Sequence, residues 1–248
     1  MGYEESRIEG RNAVLEAFRS GKTIDKLYVL DGCQDGPVKS ITREARKYDT
    51  IINYVAKERL DQLSETGKHQ GVIAVSAAYE YAEVEDILAA AEEKGEAPFI
   101  IILDGIEDPH NLGAIIRTAN QAGAHGVIIP KRRAVGLTPT VARTSAGAIN
   151  YTPVAKVTNI SNTMKELKDK GMWFVCADMD GTRMYDLDLT GPIGLVIGNE
   201  GEGVSPLVKK NCDMVASIPM KGDIDSLNAS VATGVLAYEI VRQRMIKG

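Results

Sequence analysis

Glycines, amides and hydroxyls recur in three short segments of the C-terminal part of the chain, where core packing alone would not require them. The first segment spans residues 111–117 (NLGAIIR) and the second spans residues 198–203 (GNEGEG). The third combines residues 218–220 (IPM) with residues 226–230 (SLNAS). Glycine lets the backbone approach a ligand closely, and amide and hydroxyl groups exchange hydrogen bonds with it. The three segments therefore predict polar ligand-binding loops.

The first segment places an asparagine and an arginine on one predicted helix, residues 111–122. Pro109 ends the preceding turn, so Asn111 is expected at the N-cap of this helix. Arg117 follows among small and apolar side chains, and a guanidinium in such a position can bind a phosphate through two hydrogen bonds. A capping Asn and a solvated surface Arg are the structural alternative, and at this point both interpretations stay open.

The second segment follows a strand predicted for residues 194–198. Its three glycines are spaced G-x-x-G-x-G, which is not the G-x-G-x-x-G pattern of dinucleotide-binding loops. A tight structural turn would explain the glycines alone. Glu200 adds information, because a carboxylate inside a glycine loop must face either solvent or a ligand.

The third segment brings two hydroxyls and an amide to the start of the last predicted helix, residues 229–247. These side chains belong to Ser226, Asn228 and Ser230. Either Ser226 or Asn228 is expected to cap the helix. One cap does not require all three side chains, so the segment also favours a ligand contact.

The elements that position these segments alternate between apolar strands and helices. We predict strands at 99–103, 127–129, 172–177, 194–198 and 214–218, and helices at 111–122, 160–170, 205–211 and 229–247. Such alternation predicts an α/β fold with a parallel sheet covered on both faces. Ligands of such sheets bind at the carboxyl ends of the strands, which is where the three segments fall.

We predict a domain boundary in the acidic, alanine-rich segment 79–98. Its apolar residues recur at helical spacing, which indicates a connecting helix. Residues 1–78 precede it as a small α/β domain, with helices at 12–20 and 38–48 and strands at 24–30 and 71–77. Residues 99–248 follow as the larger domain.

Charge and composition limit the possible classes of protein. The net charge is −5, but segment 79–98 alone carries one Lys against seven Asp or Glu. The flanking domains are close to neutral with local basic clusters, so RNA remains a possible partner. The three cysteines are widely spaced and predict neither disulfides nor a metal site. Without a signal peptide or an apolar membrane span, the chain is expected to be cytoplasmic.

Together the three segments resemble the signature motifs of the SpoU/TrmH (SPOUT) family of RNA ribose 2′-O-methyltransferases, in the same order and at similar spacing. The resemblance extends over nearly the whole chain. Residues 8–14 and 68–71 are similar to the N-terminal substrate-binding domain of the members that methylate guanosine in 23S rRNA, the RlmB type, as are residues 137–141 and 145–148. Many relatives carry His at the position of Asn12 and Ser at that of Asn199, and neither difference is expected to decide activity.

The resemblance implies a fold, a cofactor and an assembly. It implies a deep trefoil knot in the C-terminal domain, an L30e-like N-terminal domain that binds the RNA, and a homodimer. Ordinary topology rules would predict an unknotted sheet. It also implies S-adenosylmethionine as the methyl donor, 23S rRNA as the substrate, and neither a metal nor a membrane partner.

Site residues follow from the same resemblance. Arg117 would activate the ribose 2′-hydroxyl, and four residues would hold Arg117 and the ribose: Asn111, Glu200, Ser226 and Asn228. The backbone of six residues would enclose the cofactor: Ile197, Gly198, Gly201, Ile218, Met220 and Leu227. Thr144 and Ser230 are further cofactor-binding candidates.

Three other functions remain as alternatives. A tRNA ribose or a resistance-type rRNA site could be the methylated target. A non-catalytic RNA-binding module of the same fold is a second alternative, although the intact Asn111, Arg117, Glu200 and Asn228 argue against it. A nicotinamide-dependent oxidoreductase would fit the alternation of strands and helices, but the chain lacks the G-x-G-x-x-G loop.

Overall fold

A computed structural model describes residues 7–224 and 226–247. The chain divides into two compact units. The first consists of Met1–Glu80 with Gly136–Pro139, and the second of Tyr81–Val135 with Thr140–Gly248. None of the helices in the described ranges combines the length and hydropathy needed to cross a membrane.

In the first unit, a four-stranded sheet packs against helices. The strands are β1 (Arg7–Glu9), β2 (Ile24–Leu30), β3 (Ile51–Val55) and β4 (Val72–Ser76), and their order in the sheet is β1-β4-β2-β3. The helices are α1 (Arg11–Arg19), α2 (Gly36–Lys47) and α3 (Lys57–Leu63). Parallel pairing of β2 with β3 makes β2-α2-β3 a crossover unit.

Helix α2 begins where the sequence provides its start signals. Asp35 is the N-cap and accepts a hydrogen bond from the Val38 backbone N–H at 3.1 Å, and Pro37 occupies the first turn. Arg46 and Lys47 in the last turn interact favourably with the negative end of the helix dipole. The helix buries Val38, Ile41 and Ala45, and its charged residues remain on the other face.

The carboxylate of Glu9, in β1, forms hydrogen bonds with the loop after α3. Glu9 accepts hydrogen bonds from the Ser64 hydroxyl at 2.6 Å, the Thr66 hydroxyl at 2.5 Å and the Glu65 backbone N–H at 2.5 Å. Desolvation alone would raise the pKa of Glu9, but these hydrogen bonds outweigh it and lower the pKa to about 2. The carboxylate is therefore bound in its ionised form.

Replacing Glu9 with Gln is expected to lower the free energy of unfolding by about 1–3 kcal/mol at pH 7, because charge-assisted hydrogen bonds are lost. Since the folded pKa lies below the ordinary value of 4.5, this stabilisation is complete above pH 4.5. It should disappear progressively as the pH falls toward about 2. Urea unfolding of both proteins between pH 7 and pH 3 measures it. A stability difference that does not change with pH would contradict the assignment to the carboxylate.

The second unit contains a parallel sheet of six strands in its described residues. These are β5 (Phe99–Asp104), β6 (Gly126–Pro130), β7 (Val154–Val157), β8 (Trp173–Arg183), β9 (Ile193–Gly198) and β10 (Met214–Ser217). Their order is β10-β8-β9-β5-β6-β7, and every neighbouring pair is parallel. The predicted α/β fold with a parallel sheet is confirmed.

Helices in the second unit cover this sheet and bury its apolar side chains. They are α4 (Val84–Lys94), α5 (Pro109–Gln121), α6 (Pro139–Thr144, whose first residue groups with the first unit), α7 (Ile160–Asp169), α8 (Pro206–Lys210) and α9 (Ala229–Lys247). The acidic segment contributes α4, whose Ile87 is fully buried in the same core cluster as Ile100 and Ile128 of the sheet.

One expectation about the first segment is wrong. Helix α5 begins at Pro109 and is capped by Asp108, whose side chain accepts a hydrogen bond from the His110 backbone N–H at 2.9 Å. Asn111 therefore lies inside the first turn and is buried, rather than at the N-cap. Because the Asp108 side chain already caps the helix start, the Asn111 amide is available for other contacts.

Candidate functional site

A cavity of about 360 Å³ lies at the carboxyl ends of β8, β9 and β10. Its apolar lining comes from Ile197, Ile218, Leu227 and neighbouring small residues, while four carboxylates also line it. These carboxylates belong to Asp178, Asp180, Glu200 and Glu202. Among the described residues that line the cavity, none is Lys, Arg or His, so its walls favour a ligand that combines apolar groups with positive charge.

The second glycine segment forms one wall as a closed loop. Asn199 and Gly203 exchange backbone hydrogen bonds at 3.2 and 2.8 Å, which closes the loop on itself. The Asn199 side chain donates to the Gly105 carbonyl at 2.9 Å and accepts from the Gly201 N–H at 2.8 Å. It therefore joins the loop after β5 to the loop after β9.

Gly198 is required by the closure of this loop. A Cβ atom added at Gly198 would overlap the backbone of Gly203 and Val204. The overlap involves backbone atoms, which cannot rotate aside as a side chain can. This glycine therefore permits the close approach of the two ends of the loop.

The three segments meet in a cluster of hydrogen bonds around Glu200. The Asn111 amide nitrogen donates to the Glu200 carboxylate. The Asn228 amide nitrogen donates to the Asn111 oxygen at 3.0 Å and lies 3.5 Å from the same carboxylate. One side chain from each segment takes part, although Asn111 and Asn228 are separated by more than a hundred positions in the sequence. The structure therefore brings these three candidate site residues into contact.

Asn228 also caps the last helix, as was expected of it or of Ser226. Its side-chain oxygen accepts hydrogen bonds from the Ser230 N–H at 3.0 Å and the Ser230 hydroxyl at 2.6 Å. The amide group thus uses its oxygen for the cap and its nitrogen for the cluster. Ser226, which is not needed for the cap, lines the cavity.

An excursion of β8 from its pairing with β10 forms another part of the cavity wall. The pairing of β8 with β10 jumps from Cys176–Val215 to Thr182–Ala216, so residues 177–181 leave the ladder between them. Asp178 at the start of this excursion pairs with Lys209 of α8 at 2.6 Å. The hydrogen bond from Lys209 lowers the pKa of Asp178, which keeps this carboxylate ionised.

Most of the predicted cofactor-binding residues line the cavity. These are Ile197, Gly198, Gly201, Ile218, Met220 and Leu227. Thr144 and Ser230 are not among the lining residues. Thr144 instead packs on Gly113, where an added Cβ would overlap the Thr144 hydroxyl and come within 2.7 Å of its Cβ. The glycine of the first motif therefore allows α5 and Thr144 to approach each other.

Arg117 lies apart from the cavity. Its side chain is exposed on α5 and is not among the lining residues. In the part of the chain that the structure describes, its guanidinium makes no hydrogen bond or ion pair. The structure thus brings Asn111, Glu200 and Asn228 together but leaves Arg117 free for an external partner.

Sequence reasoning missed the acidic wall. The sequence predicted no role in the site for Asp178, Asp180 or Asn199. Their position directly after a predicted strand, at the same sheet edge as the three segments, was the available signal. Within residues 7–224 and 226–247, no group of three His, Cys, Asp or Glu side chains is arranged to hold a metal.

Comparison with known proteins agrees with this geometry. Residues 98–238 match the model of the SpoU rRNA Methylase family. The chain belongs to this family. Residues 7–82 match a second model, described as RNA 2′-O ribose methyltransferase substrate binding. SpoU membership confirms the family predicted from the three motifs, and with it an RNA ribose 2′-O-methyltransferase as the class of enzyme.

Proteins similar to this SpoU protein cover between 62% and 98% of it. It is 49% identical over 245 residues, 98% of both chains, to YacO of Bacillus subtilis, whose name places it in the TrmH family of tRNA/rRNA methyltransferases. The crystal structure of the SpoU methyltransferase AviRb from Streptomyces viridochromogenes, in complex with the cofactor AdoMet, is 28% identical with a TM-score of 0.62. That match covers 98% of this chain and 91% of AviRb. The A. aeolicus TrmH/SpoU tRNA modifying enzyme is 32% identical with a TM-score of 0.56, over 62% of this chain and 78% of that one.

Proposed function

We propose that this SpoU protein transfers the methyl group of S-adenosylmethionine to the ribose 2′-hydroxyl of a guanosine in the peptidyl-transferase P loop of 23S rRNA. The observation that carries the proposal is the cavity at the carboxyl ends of β8, β9 and β10, with the Glu200 cluster at its wall. All three motifs contribute to these two features.

The residues of the cavity fit S-adenosylmethionine. Ile197, Ile218 and Leu227 offer apolar surface for an adenine ring. The carboxylates of Asp178, Asp180 and Glu202 offer acceptors for ribose hydroxyls and for the amino group, and their charge favours a sulfonium cation. When bound, S-adenosylmethionine supplies a methyl group on a positively charged sulfur, which is open to in-line displacement by an oxygen.

Arg117 is assigned to the RNA rather than to the cofactor. Its exposed guanidinium can bind the phosphate beside the target ribose and orient the 2′-hydroxyl for attack. An ordinary guanidinium has a pKa above about 12 and is a poor base, so we assign it orientation and charge stabilisation. Asn111, Glu200, Ser226 and Asn228 would hold the ribose beside the methyl donor.

The proposal also includes the roles of the domains, the trefoil knot and the homodimer. We assign residues 1–78 to RNA binding, residues 79–98 to a connecting segment and residues 99–248 to methyl transfer, with the C-terminal chain knotted in a trefoil. We also assign the active form as a homodimer. Exposed apolar side chains on α9, among them Val231 and Tyr238, each half exposed, support such an interface.

The choice of 23S rRNA rests on the N-terminal resemblance to the guanosine-modifying branch. A tRNA ribose or a resistance-type rRNA site is the runner-up target, since the name of YacO leaves tRNA and rRNA open. A non-catalytic RNA-binding module is the remaining alternative, and the complete Glu200 cluster disfavours it.

Methyl transfer to RNA from cells that lack this protein tests the proposal. Purified protein and labelled S-adenosylmethionine are incubated with rRNA and with tRNA, and the modified nucleotide is mapped. A 2′-O-methylguanosine in the 23S P loop is the expected result. Label in tRNA would support the methyltransferase activity but contradict 23S rRNA as the target. Failure to bind S-adenosylmethionine would overturn the enzyme and favour the non-catalytic module.

A further inference from the structure

The first unit contains a second cavity, of about 710 Å³, formed by α2, the loop before it and β3. We call it the α2 groove, and the lining residues that matter are Asp31, Gln34, Lys39, Arg43, Arg46 and Tyr54. The family match assigns substrate binding to residues 7–82 as a whole and to no individual residue. The groove is therefore a candidate for the surface that carries out this binding.

Three cations line up along the groove. Lys39, Arg43 and Arg46 follow each other at spacings of four and three residues, which places them on one face of α2. This face extends over about 10 Å of helix axis. Such a length suits a backbone with several phosphates better than a single phosphate group.

These cations lack protein partners. Within residues 7–224 and 226–247, the side chains of Lys39, Arg43 and Arg46 make no ion pair or hydrogen bond. Lys47 on the same helix differs, because it lies 3.8 Å from Glu44 and 5.4 Å from the centre of the Tyr48 ring. Asp31 is the acidic lining residue, and its carboxylate accepts a hydrogen bond from the Gly32 N–H at 2.9 Å. The lining of the groove therefore has a net positive charge, which can attract an external anion.

An exposed aromatic ring completes the groove. Tyr54 of β3 is 52% exposed. A strand can bury most of a Tyr side chain, so this degree of exposure leaves the aromatic ring open to a ligand. Its ring is available to stack on an unpaired base, and such a stack tolerates any base. Gln34, which also lines the groove, is exposed and can exchange hydrogen bonds with a base edge.

We propose that the α2 groove binds a single-stranded stretch of the RNA substrate, with its phosphates on Lys39, Arg43 and Arg46 and one base on Tyr54. The inference rests on the proposed function, because it takes RNA as the substrate. A duplex is the less suitable ligand, since its bases are already stacked and cannot reach the Tyr54 ring.

Fluorescence anisotropy of the full-length protein with a labelled single-stranded RNA of about 12 nucleotides tests the proposal. The triple substitution Lys39→Ala/Arg43→Ala/Arg46→Ala is expected to weaken binding at least about tenfold at low salt. It should also make the slope of log K against log salt shallower by about 2, since each phosphate contact on a single strand contributes about −0.7. Tyr54→Leu should weaken binding about 5- to 150-fold, as the loss of one base stack would, whereas Tyr54→Phe should not.

A matched control removes three exposed cations of the same unit from outside the groove: Arg19→Ala/Lys57→Ala/Arg59→Ala. Equal loss of affinity in both triple variants would overturn the proposal, because binding would then depend only on overall charge. Tighter binding of an RNA duplex of the same length, or unchanged binding by Tyr54→Leu, would also overturn it. Calorimetry with S-adenosylmethionine should show wild-type affinity for every variant.

The two proposals can fail separately. If the wild type binds the probe through the groove but transfers no methyl group to any RNA, the proposed function fails and the groove stands. If the wild type methylates RNA and the groove triple variant does so with unchanged KM, the groove fails and the function stands.

Discussion

Arg117→Ala is expected to abolish methyl transfer while S-adenosylmethionine affinity stays within a few fold of wild type. The side chain is exposed, lies outside the cavity and has no partner in the described part of the chain, so its loss leaves the cavity walls unchanged. The loss of one group that stabilises a transition state costs at least about 100-fold in rate. Single-turnover transfer and calorimetry with S-adenosylmethionine measure the two quantities.

Two further variants serve as controls for Arg117→Ala. Arg117→Lys keeps the charge but loses the paired hydrogen bonds to phosphate, so it should transfer methyl at an intermediate rate. Lys165→Ala removes an exposed charge from α7, and it should behave as wild type in both assays. A parallel fall in cofactor affinity and transfer in Arg117→Ala would show that Arg117 supports the cavity and that its assignment to the RNA is wrong.

The bounds of two elements were predicted to the residue. Strand β2 and helix α9 have the predicted bounds, and the capping Asn228 marks the start of α9 in the sequence. Strands β1, β3 and β7 were missed. They are three to five residues long, and β1 and β7 are defined by pairing with distant strands rather than by a local pattern.

The error at Asn111 has a local cause. Asp108 and Asn111 are both good capping residues, and Pro109 favours the first helical position, so the sequence contained the signal for Asp108. Because Asp108 and not Asn111 caps α5, the interpretation of Asn111 as a site residue is strengthened. A buried amide that is not needed by its own helix must find a partner elsewhere, and that partner is Glu200.

Parts of the site that depend on contacts between residues far apart in the sequence could not be predicted from the sequence. The excursion of β8 arises from its shifted pairing with β10, and it is this shift that brings Asp178 to the cavity. The contact of Thr144 with Gly113 likewise depends on how two helices approach. The Glu200 cluster was predictable because parallel strands place their carboxyl ends on one edge of the sheet.

The second large effect is expected from Gly198→Ala, which should weaken S-adenosylmethionine binding at least about tenfold and abolish methyl transfer. The added methyl group overlaps the backbone of Gly203 and Val204, so the loop of residues 199–203 must open. Opening breaks the two bonds between Asn199 and Gly203 and withdraws Glu200 from Asn111. The cavity wall and the cluster are therefore lost together, unlike in Arg117→Ala. Calorimetry and single-turnover transfer again measure both effects.

Two glycine variants distinguish this mechanism from general destabilisation. Gly201→Ala lies in the same loop, but its Cβ would lie 3.4 Å from the Asn199 side-chain oxygen, an ordinary contact. Gly191→Ala lies before β9 with open space around it. Both should fold normally, Gly191→Ala with wild-type cofactor affinity and Gly201→Ala within a few fold of it. If Gly198→Ala binds the cofactor as wild type does, the closed loop is not the wall on which cofactor binding depends, and the adenine and methionine must be held by the β8 excursion and the third segment instead.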